Sequence, residues 1–219
     1  MPSEVVVVGA GGFGRQVLDL IEAHNLARPD AQISVLGVAD DSPSQLNLER
    51  LRARSYRYLG TIVDVLAESV GAYVLGIASP QAKRRIAARF DKRGWNAVTL
   101  IDPTAGLGSL VEIDPGAIIC AGAQLMTNIK IGRHTHINLN VTVGHDSELG
   151  DFVTVNPGAA VSGDVVVGDA VLIGTGAAVL QGLRVSQEAQ VGAGACVTKD
   201  VRPGSTVVGV PAREREAKE

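Results

Sequence analysis

The sequence predicts an α/β chain in two parts, a small β-α-β-α domain over residues 1–98 and a parallel β-solenoid over residues 99–219. Three observations carry that prediction. From Ile101 to Val197 every sixth residue is aliphatic, a period that calls for one supersecondary unit repeated along an axis. The fourth residue after each of those positions is again small or apolar, so each repeat has a second inward position. Near the start of the chain, Gly9-Ala10-Gly11-Gly12-Phe13-Gly14 follows a continuous run of valines and opens a stretch of helical periodicity.

The first domain follows in order. Glu4–Val8 reads as a buried parallel strand, and Val17, Leu18 and Ile21 have the spacing of one helix face. The glycine motif between them is a phosphate-binding candidate, with backbone N–H groups and a helix N-terminus turned toward an anion. A second strand over 33–39 ends in Asp40-Asp41, where a Rossmann-like fold places acids near a ribose or base; the alternative is a polar turn. Arg50, Arg52, Arg54 and Arg57 read as a solvated surface rather than a phosphate clamp. A short helix over 61–70 and a strand over 72–78 come next. Ser79-Pro80 then supplies an N-cap and a proline at the first helical position, opening a basic helix that Gly94 terminates. A last strand is expected over 97–101. A complete dinucleotide site needs two such halves, so this Rossmann-like half is expected to hold a mononucleotide or the nucleotide part of a larger substrate, which disfavours NAD.

In the second part the inward positions include Ala117, Ala123, Val141, Val153, Ala159, Val165 and Ala195, and the exceptions Thr135 and Ser147 are still small. The interior is therefore narrow. The residue after each aliphatic position is often Gly, Asn or Asp, as at Gly108, Asp114, Gly132, Asn138, Gly144, Gly150, Asn156, Gly168 and Gly174, and reads as a tight bend between short strands. An α-solenoid is excluded. The stretch from 101 to about 202 resembles the hexapeptide-repeat acyltransferases. That resemblance implies a left-handed parallel β-helix with three hexapeptides, 18 residues, per coil, and a homotrimer. No hexapeptide is interrupted by a loop, so the coils are expected to form a plain prism.

Composition narrows the function. A formal net charge of −3 and 3% aromatic residues offer neither a basic footprint nor stacking platforms for nucleic acid. Apolar runs fall far short of a membrane span and no charged-then-apolar leader opens the chain, so a cytoplasmic location is expected. Cys120 and Cys196 lie about four coils apart, roughly 19 Å at the usual strand spacing, too far for a disulfide within the chain.

Of the four histidines, His134, His136 and His145 fall in the repeats. On an 18-residue coil they stack on different ladders, His134 on Gly116 and Phe152, His136 on Ile118 and Thr154, His145 on Thr127 and Gly163. Their separations of two, nine and eleven do not resemble the pattern by which a hexapeptide-repeat carbonic anhydrase collects histidines on zinc, and no metal is expected. His145 stands out because Asp146 follows it. A carboxylate beside an imidazole fixes its tautomer and raises its basicity, as a general base requires.

Taken with the glycine loop, this pairing resembles the sugar acyltransferases that acetylate sialic acid or nucleotide-linked 4-amino sugars, including the bacillosamine and perosamine enzymes. The resemblance covers the whole chain, including Gly209-Val210-Pro211-Ala212-Arg213. It implies His145 as catalytic base, Asp146 as the acid that strengthens it, and Asn138 as a substrate-contacting amide. Gly11, Gly12, Phe13, Asp40, Asp41 and Ala78 match the loop and strand ends that hold the substrate's nucleotide. Acetyl-CoA, as cosubstrate, is implied near Thr154, Gly163, Thr175 and Ala193, in a groove between neighbouring β-helices, with the Gly163 N–H placed to meet a thioester oxyanion. Some relatives carry histidine where Phe13 and Thr154 stand, and often Glu where Asp146 stands. The activity implied is N-acetylation of a nucleotide-activated amino sugar by acetyl-CoA. The rivals are O-acetylation of a sugar of the sialic-acid type, a catalytically silent nucleotide-binding trimer, and a zinc-dependent hexapeptide enzyme.

Overall fold

The computed structural model describes residues 4–68 and 70–215. The chain separates into two compact units, Met1–Ala78 with Ala82–Pro103, and Ser79–Gln81 with Thr104–Glu219.

In the first unit β1 (Glu4–Val8), β2 (Ser34–Ala39), β3 (Ala72–Leu75) and β4 (Asn96–Ala97) form a parallel sheet in the order β2-β1-β3-β4. β1 is central, and its four valines are buried, as a strand covered on both faces needs. Val8 is level with Ala39 on one side and Leu75 on the other, so the loops leaving these three strands emerge together, at the end where parallel sheets bind ligands. Helix α1 (Gly12–Ala27) buries Val17, Leu18, Leu20 and Ile21. Helix α2 (Gln45–Arg52) is capped by Ser44, and α3 (Ile62–Ala67) opens on a capping box between Thr61 and Asp64. Helix α4 (Pro80–Asp91) places the Phe90 ring flat on Tyr73 at 4.2 Å. It also buries Lys83 completely, and the loss of solvent pushes that ammonium's pKa well below the usual lysine range. The arginine run is partly networked, since Arg54 pairs with Asp19 at 2.6 Å and Glu22 at 2.9 Å.

The strand expected over 97–101 is broken into two. β4 lies beside β3, and β5 (Leu100–Ile101) is a separate strand. The ladder with β3 ends where the Val98 N–H donates to the Tyr73 carbonyl.

The second unit is a left-handed parallel β-solenoid of about six turns. Its strands are only two or three residues long and fall on three faces. Val111–Ile113, Ile129–Ile131, Glu148–Leu149, Val166–Val167 and Arg184–Val185 make one face, paired in parallel. Ile118–Ile119 through Thr206–Val208 make the second, and Gly106–Leu107 through Cys196–Val197 the third. Partners such as Lys130 and Glu148, His136 and Thr154, and Thr142 and Ala160 are one 18-residue coil apart. The aliphatic corners Ile119, Leu125, Ile131, Ile137, Val143, Leu149, Val155, Val161, Val167 and Ile173 are all buried, each contributing about 1.5–3 kcal/mol by leaving water. Thr135 and Ser147 face the same interior without orphaning their hydroxyls. Thr135 Oγ1 donates to Gly150 O and accepts from Val153 N, and Ser147 Oγ donates to Ser162 O and accepts from Val165 N.

The bends lie elsewhere than the sequence suggested. From Leu110 to Gly194 every sixth residue has a positive φ, among them Asn128, Asp146 and Asp164, so the left-handed corner falls two positions after the Gly/Asn/Asp site. The earlier glycines answer a different need. A Cβ on Gly132, Gly150 or Gly168 would lie about 2.4–2.5 Å from the next coil, and one on Gly144 would lie 2.3 Å from the Gly163 nitrogen. The stacking of coils, not backbone conformation, selects glycine there. After Val191 the coil shortens, since Gln190 pairs with Thr206, and the chain folds back as an antiparallel strand, Arg213–Glu214, beside Thr206–Val208.

Candidate active site

The three-face geometry puts His145 and Asp146 on the corner between strands Thr142–Val143 and Glu148–Leu149. Asp146 is the left-handed residue of that corner, with φ 61°, which turns its side chain back toward its neighbour. Asp146 Oδ2 lies 2.6 Å from His145 Nδ1, and the two side chains are 49% and 43% exposed. An ionised carboxylate only accepts, so Nδ1 carries the hydrogen and Nε2 keeps its lone pair. The other carboxylate oxygen, Oδ1, accepts from Asn128 Nδ2 at 2.7 Å, one coil earlier. Asn128 foremost, then His145, holds the Asp146 carboxyl below the usual aspartate range, keeping it ionised at neutral pH.

The imidazole rests on the following coil. A Cβ added to Gly163 would sit 2.6 Å from His145 Nε2 and 2.7 Å from Cε1, so only glycine lets the ring lie there. The ladder Thr127, His145, Gly163 follows the 18-residue coil: the Asp146 N–H donates to Thr127 O, and the Asp164 N–H to His145 O. The pair and its backbone floor form an exposed proton acceptor in a fixed tautomer, on a corner made entirely of repeat geometry. His134 stacks on Phe152 at 5.4 Å, and both His134 and His136 are buried, so of these three histidines His145 alone reaches the surface. Among the described residues no three His, Cys, Asp or Glu side chains come together as a metal-binding group.

The other residues expected in the repeats scatter over the prism. Asn138 is 4% exposed, and its Nδ2 donates to Val155 O at 2.9 Å, which commits one of its two N–H donors to the coil. Thr154 is fully buried in its strand, so its side chain reaches no groove from within this chain. Thr175 and Ala193 are exposed and share one ladder, the Gly194 N–H donating to Thr175 O. Their corner follows strands Leu172–Ile173 and Gln190–Val191 and so differs from the corner of His145 and Gly163. The single chain brings His145, Asp146 and Gly163 together and leaves Thr175 and Ala193 on another edge.

In the first unit the glycine motif divides by role. Gly9 has φ +112°, and its Cβ would meet Gly76 O at 2.7 Å; a Cβ on Gly14 would lie 1.8 Å from Gly9 O. Those two are packing glycines. Gly11 and Gly12 have no other atom within 4 Å of a built Cβ, so they face open space. Gly11 is the N-cap of α1 and supplies no side-chain cap, and the first turn holds no acid, so no side chain of the helix itself competes for its leading N–H groups. Asp40 and Asp41 sit at the end of β2 as the sequence suggested, but both carboxylates have protein partners. Asp40 accepts from Ala10 N at 2.7 Å and Ser42 N at 2.8 Å. Asp41 accepts from Ile62 N at 2.8 Å and from Arg89 Nη1 at 3.0 Å. Asp40 thus ties the glycine loop to β2, and Asp41 ties β2 to α3 and α4, while their remaining lone pairs stay available. Phe13 is half-buried beside Gly12, and Ala78 is exposed just beyond β3.

Residues 4–90 match the PglD N-terminal domain family. A GDP-perosamine N-acetyltransferase of Escherichia coli is 31% identical over 149 residues, covering 68% of this chain and 65% of that protein. The chain thus spans about 65% of the length of the curated relative it matches. The structure of WeeI from Acinetobacter baumannii AYE is 31% identical, covers 96% of this chain and 99% of that one, and superposes with a TM-score of 0.83. PerB from Caulobacter crescentus, solved in complex with CoA and GDP-perosamine, is 25% identical over 97% of each chain, with a TM-score of 0.79.

Proposed function

The chain belongs to the hexapeptide-repeat sugar acyltransferases, and from that premise we propose that it transfers the acetyl group of acetyl-CoA to the amino group of a nucleotide-linked 4-amino sugar. One observation carries the catalytic assignment: a surface imidazole whose Nδ1 is held 2.6 Å from an ionised carboxylate and whose Nε2 lies against a glycine of the next coil. In this reading Nε2 of His145 accepts the proton of the attacking amine as the C–N bond forms at the thioester carbon. Collapse of the tetrahedral intermediate breaks the C–S bond, and the proton passes to the departing thiolate. The Gly163 N–H faces the developing oxyanion, and no covalent enzyme intermediate is needed. The nucleotide lies against Gly11, Gly12 and Phe13, where the loop is open, with Asp40, Asp41 and Ala78 around it. The names of the Escherichia coli relative and of the PerB complex support a nucleotide-linked amino sugar as acceptor.

Thr175 and Ala193 belong to this reading as part of an acetyl-CoA groove completed by a second copy, whereas Thr154, expected there from the sequence, is already buried within one chain and stays outside it. Two neighbouring β-helices bring the corner of one chain against the corner of the next, which a single prism does not do. A homotrimer of 22.7 kDa chains is the expected assembly in light scattering at micromolar concentration, and a monomer there would remove the groove assignment.

Thiol release from acetyl-CoA, measured across UDP-, GDP- and dTDP-linked 4-amino sugars and free sialic acid, tests the activity. Turnover confined to nucleotide-linked amines is expected. Gly11→Val adds a side chain in open space, so it folds normally but crowds the loop. It should raise KM for the nucleotide sugar about tenfold, the loss of roughly 1.4 kcal/mol of binding, and leave KM for acetyl-CoA unchanged. Turnover of free sialic acid that ignores Gly11→Val would replace this reading by sugar O-acetylation.

A further inference from the structure

We infer that Asn128 is a positioning residue for the reaction: its side-chain amide, presented from the coil before His145, clamps Asp146 so that the second carboxylate oxygen stays on the imidazole. The inference rests on the functional reading above and adds a third member to its dyad. Asn128 Nδ2 lies 2.7 Å from Asp146 Oδ1, while Oδ2 lies 2.6 Å from His145 Nδ1. The amide orientation follows from chemistry, since an ionised carboxylate only accepts and the atom facing it must be the NH2. Both oxygens are thereby engaged from opposite sides, and rotation about the Cβ–Cγ bond of Asp146 breaks both bonds together. Without the clamp a half-exposed aspartate has water as a competing donor at every orientation.

Repeat geometry explains why these groups meet. Asn128 and Asp146 are successive left-handed corners of one ladder, 18 residues apart, with φ 56° and 61°. Asp164, the next residue of that ladder, also has a left-handed φ and binds the His145 carbonyl through its N–H. The other charged groups nearby, Lys130 and Glu148 on the adjoining face, pair with each other at 3.2 Å. Asn128 supplies a donor without adding charge, and its hydrogen bond is the foremost influence holding the Asp146 carboxyl low.

Two substitutions separate this role from support of the backbone. Glycine and aspartate both tolerate a left-handed corner, and both remove the N–H donor. Asn128→Gly and Asn128→Asp should therefore fold as the wild type. Asn128→Gly should lower kcat about three- to tenfold, the range of one modest hydrogen bond, and Asn128→Asp, which also sets a second carboxylate against Asp146, at least as much, with KM for both substrates unchanged. In Asn128→Gly the carboxyl 13C titration of Asp146 should move to higher pH. That titration needs no turnover, so it reports on the clamp even if the proposed substrate is wrong. Wild-type kcat in both variants with an unmoved Asp146 titration would show that Asn128 serves only the corner and overturn the inference.

Discussion

His145→Ala is expected to lower turnover by two orders of magnitude or more, because a positioned general base contributes about 10²–10⁴ in rate. The loss should fall on kcat. The imidazole is 43% exposed, so stability should change by less than about 0.5 kcal/mol, as for other surface substitutions. Asp146→Ala should cost less, about tenfold, since it removes the group that fixes the tautomer and leaves the base in place. The relevant measurement is single-turnover thiol release at saturating substrate, with acetyl-CoA binding followed by calorimetry. Near-normal turnover in His145→Ala with intact folding would remove the imidazole from the mechanism.

The pH dependence has a defined sign. Asp146 is held below the usual carboxylate range by Asn128 first and His145 second. The fraction of activity that depends on its carboxylate is therefore complete at neutral pH and is lost only as pH falls below the ordinary aspartate range.

Much of the second unit was legible because its order is one-dimensional. A strict six-residue period dictates the inward positions, and the buried corners from Ile119 to Ile173 follow from it. The same arithmetic placed His145 over Gly163, since a coil length turns sequence separation into contact. What the period left open is which member of a repeat satisfies which constraint. Gly144 and Gly132 read as bends and are in fact close-stacking positions, because a missing Cβ looks alike in sequence whether it relieves φ or clearance. Asn128 escaped notice for a related reason. It occupies an ordinary corner, and its role arises only from a carboxylate one coil later. In the first unit the glycine motif, β1 to β3, α1, α3 and α4 were readable from local pattern, whereas α2 went unrecognised within the arginine run and the last strand proved to be two. The burial of Lys83 was not, since a basic helix reads as solvated and only tertiary packing decides which cation lies inward. Asp40 and Asp41 were correctly placed at the end of β2, but apart from the neighbouring Ser42 N–H their donors come from Ala10, Ile62 and Arg89, distances that no local pattern encodes.

Gly163→Ala gives the second large effect, and the structure specifies how it arises. The new Cβ would lie 2.6 Å from His145 Nε2, nearer than van der Waals contact allows, so something must move. Gly163 is absent from the positive-φ positions, so alanine suits its backbone, and the atoms in the way are the far end of a half-exposed side chain. The imidazole therefore swings out while the coil stays wound. Swinging out shifts Nε2 by about an ångström and lengthens the bond to Asp146, and misplacement on that scale costs on the order of 10²-fold in rate. Turnover should fall about 30- to 100-fold by that estimate, with a melting temperature close to wild type. Gly144→Ala is the control, because its Cβ would lie 2.3 Å from the Gly163 backbone nitrogen, where no side chain can yield. That variant should lose stability along with activity. A double-mutant cycle completes the test. In the His145→Ala background Gly163→Ala should cost nothing further, because the ring it displaces is gone. Full additivity of the two losses would mean that Gly163 acts on the reaction by a route other than the imidazole.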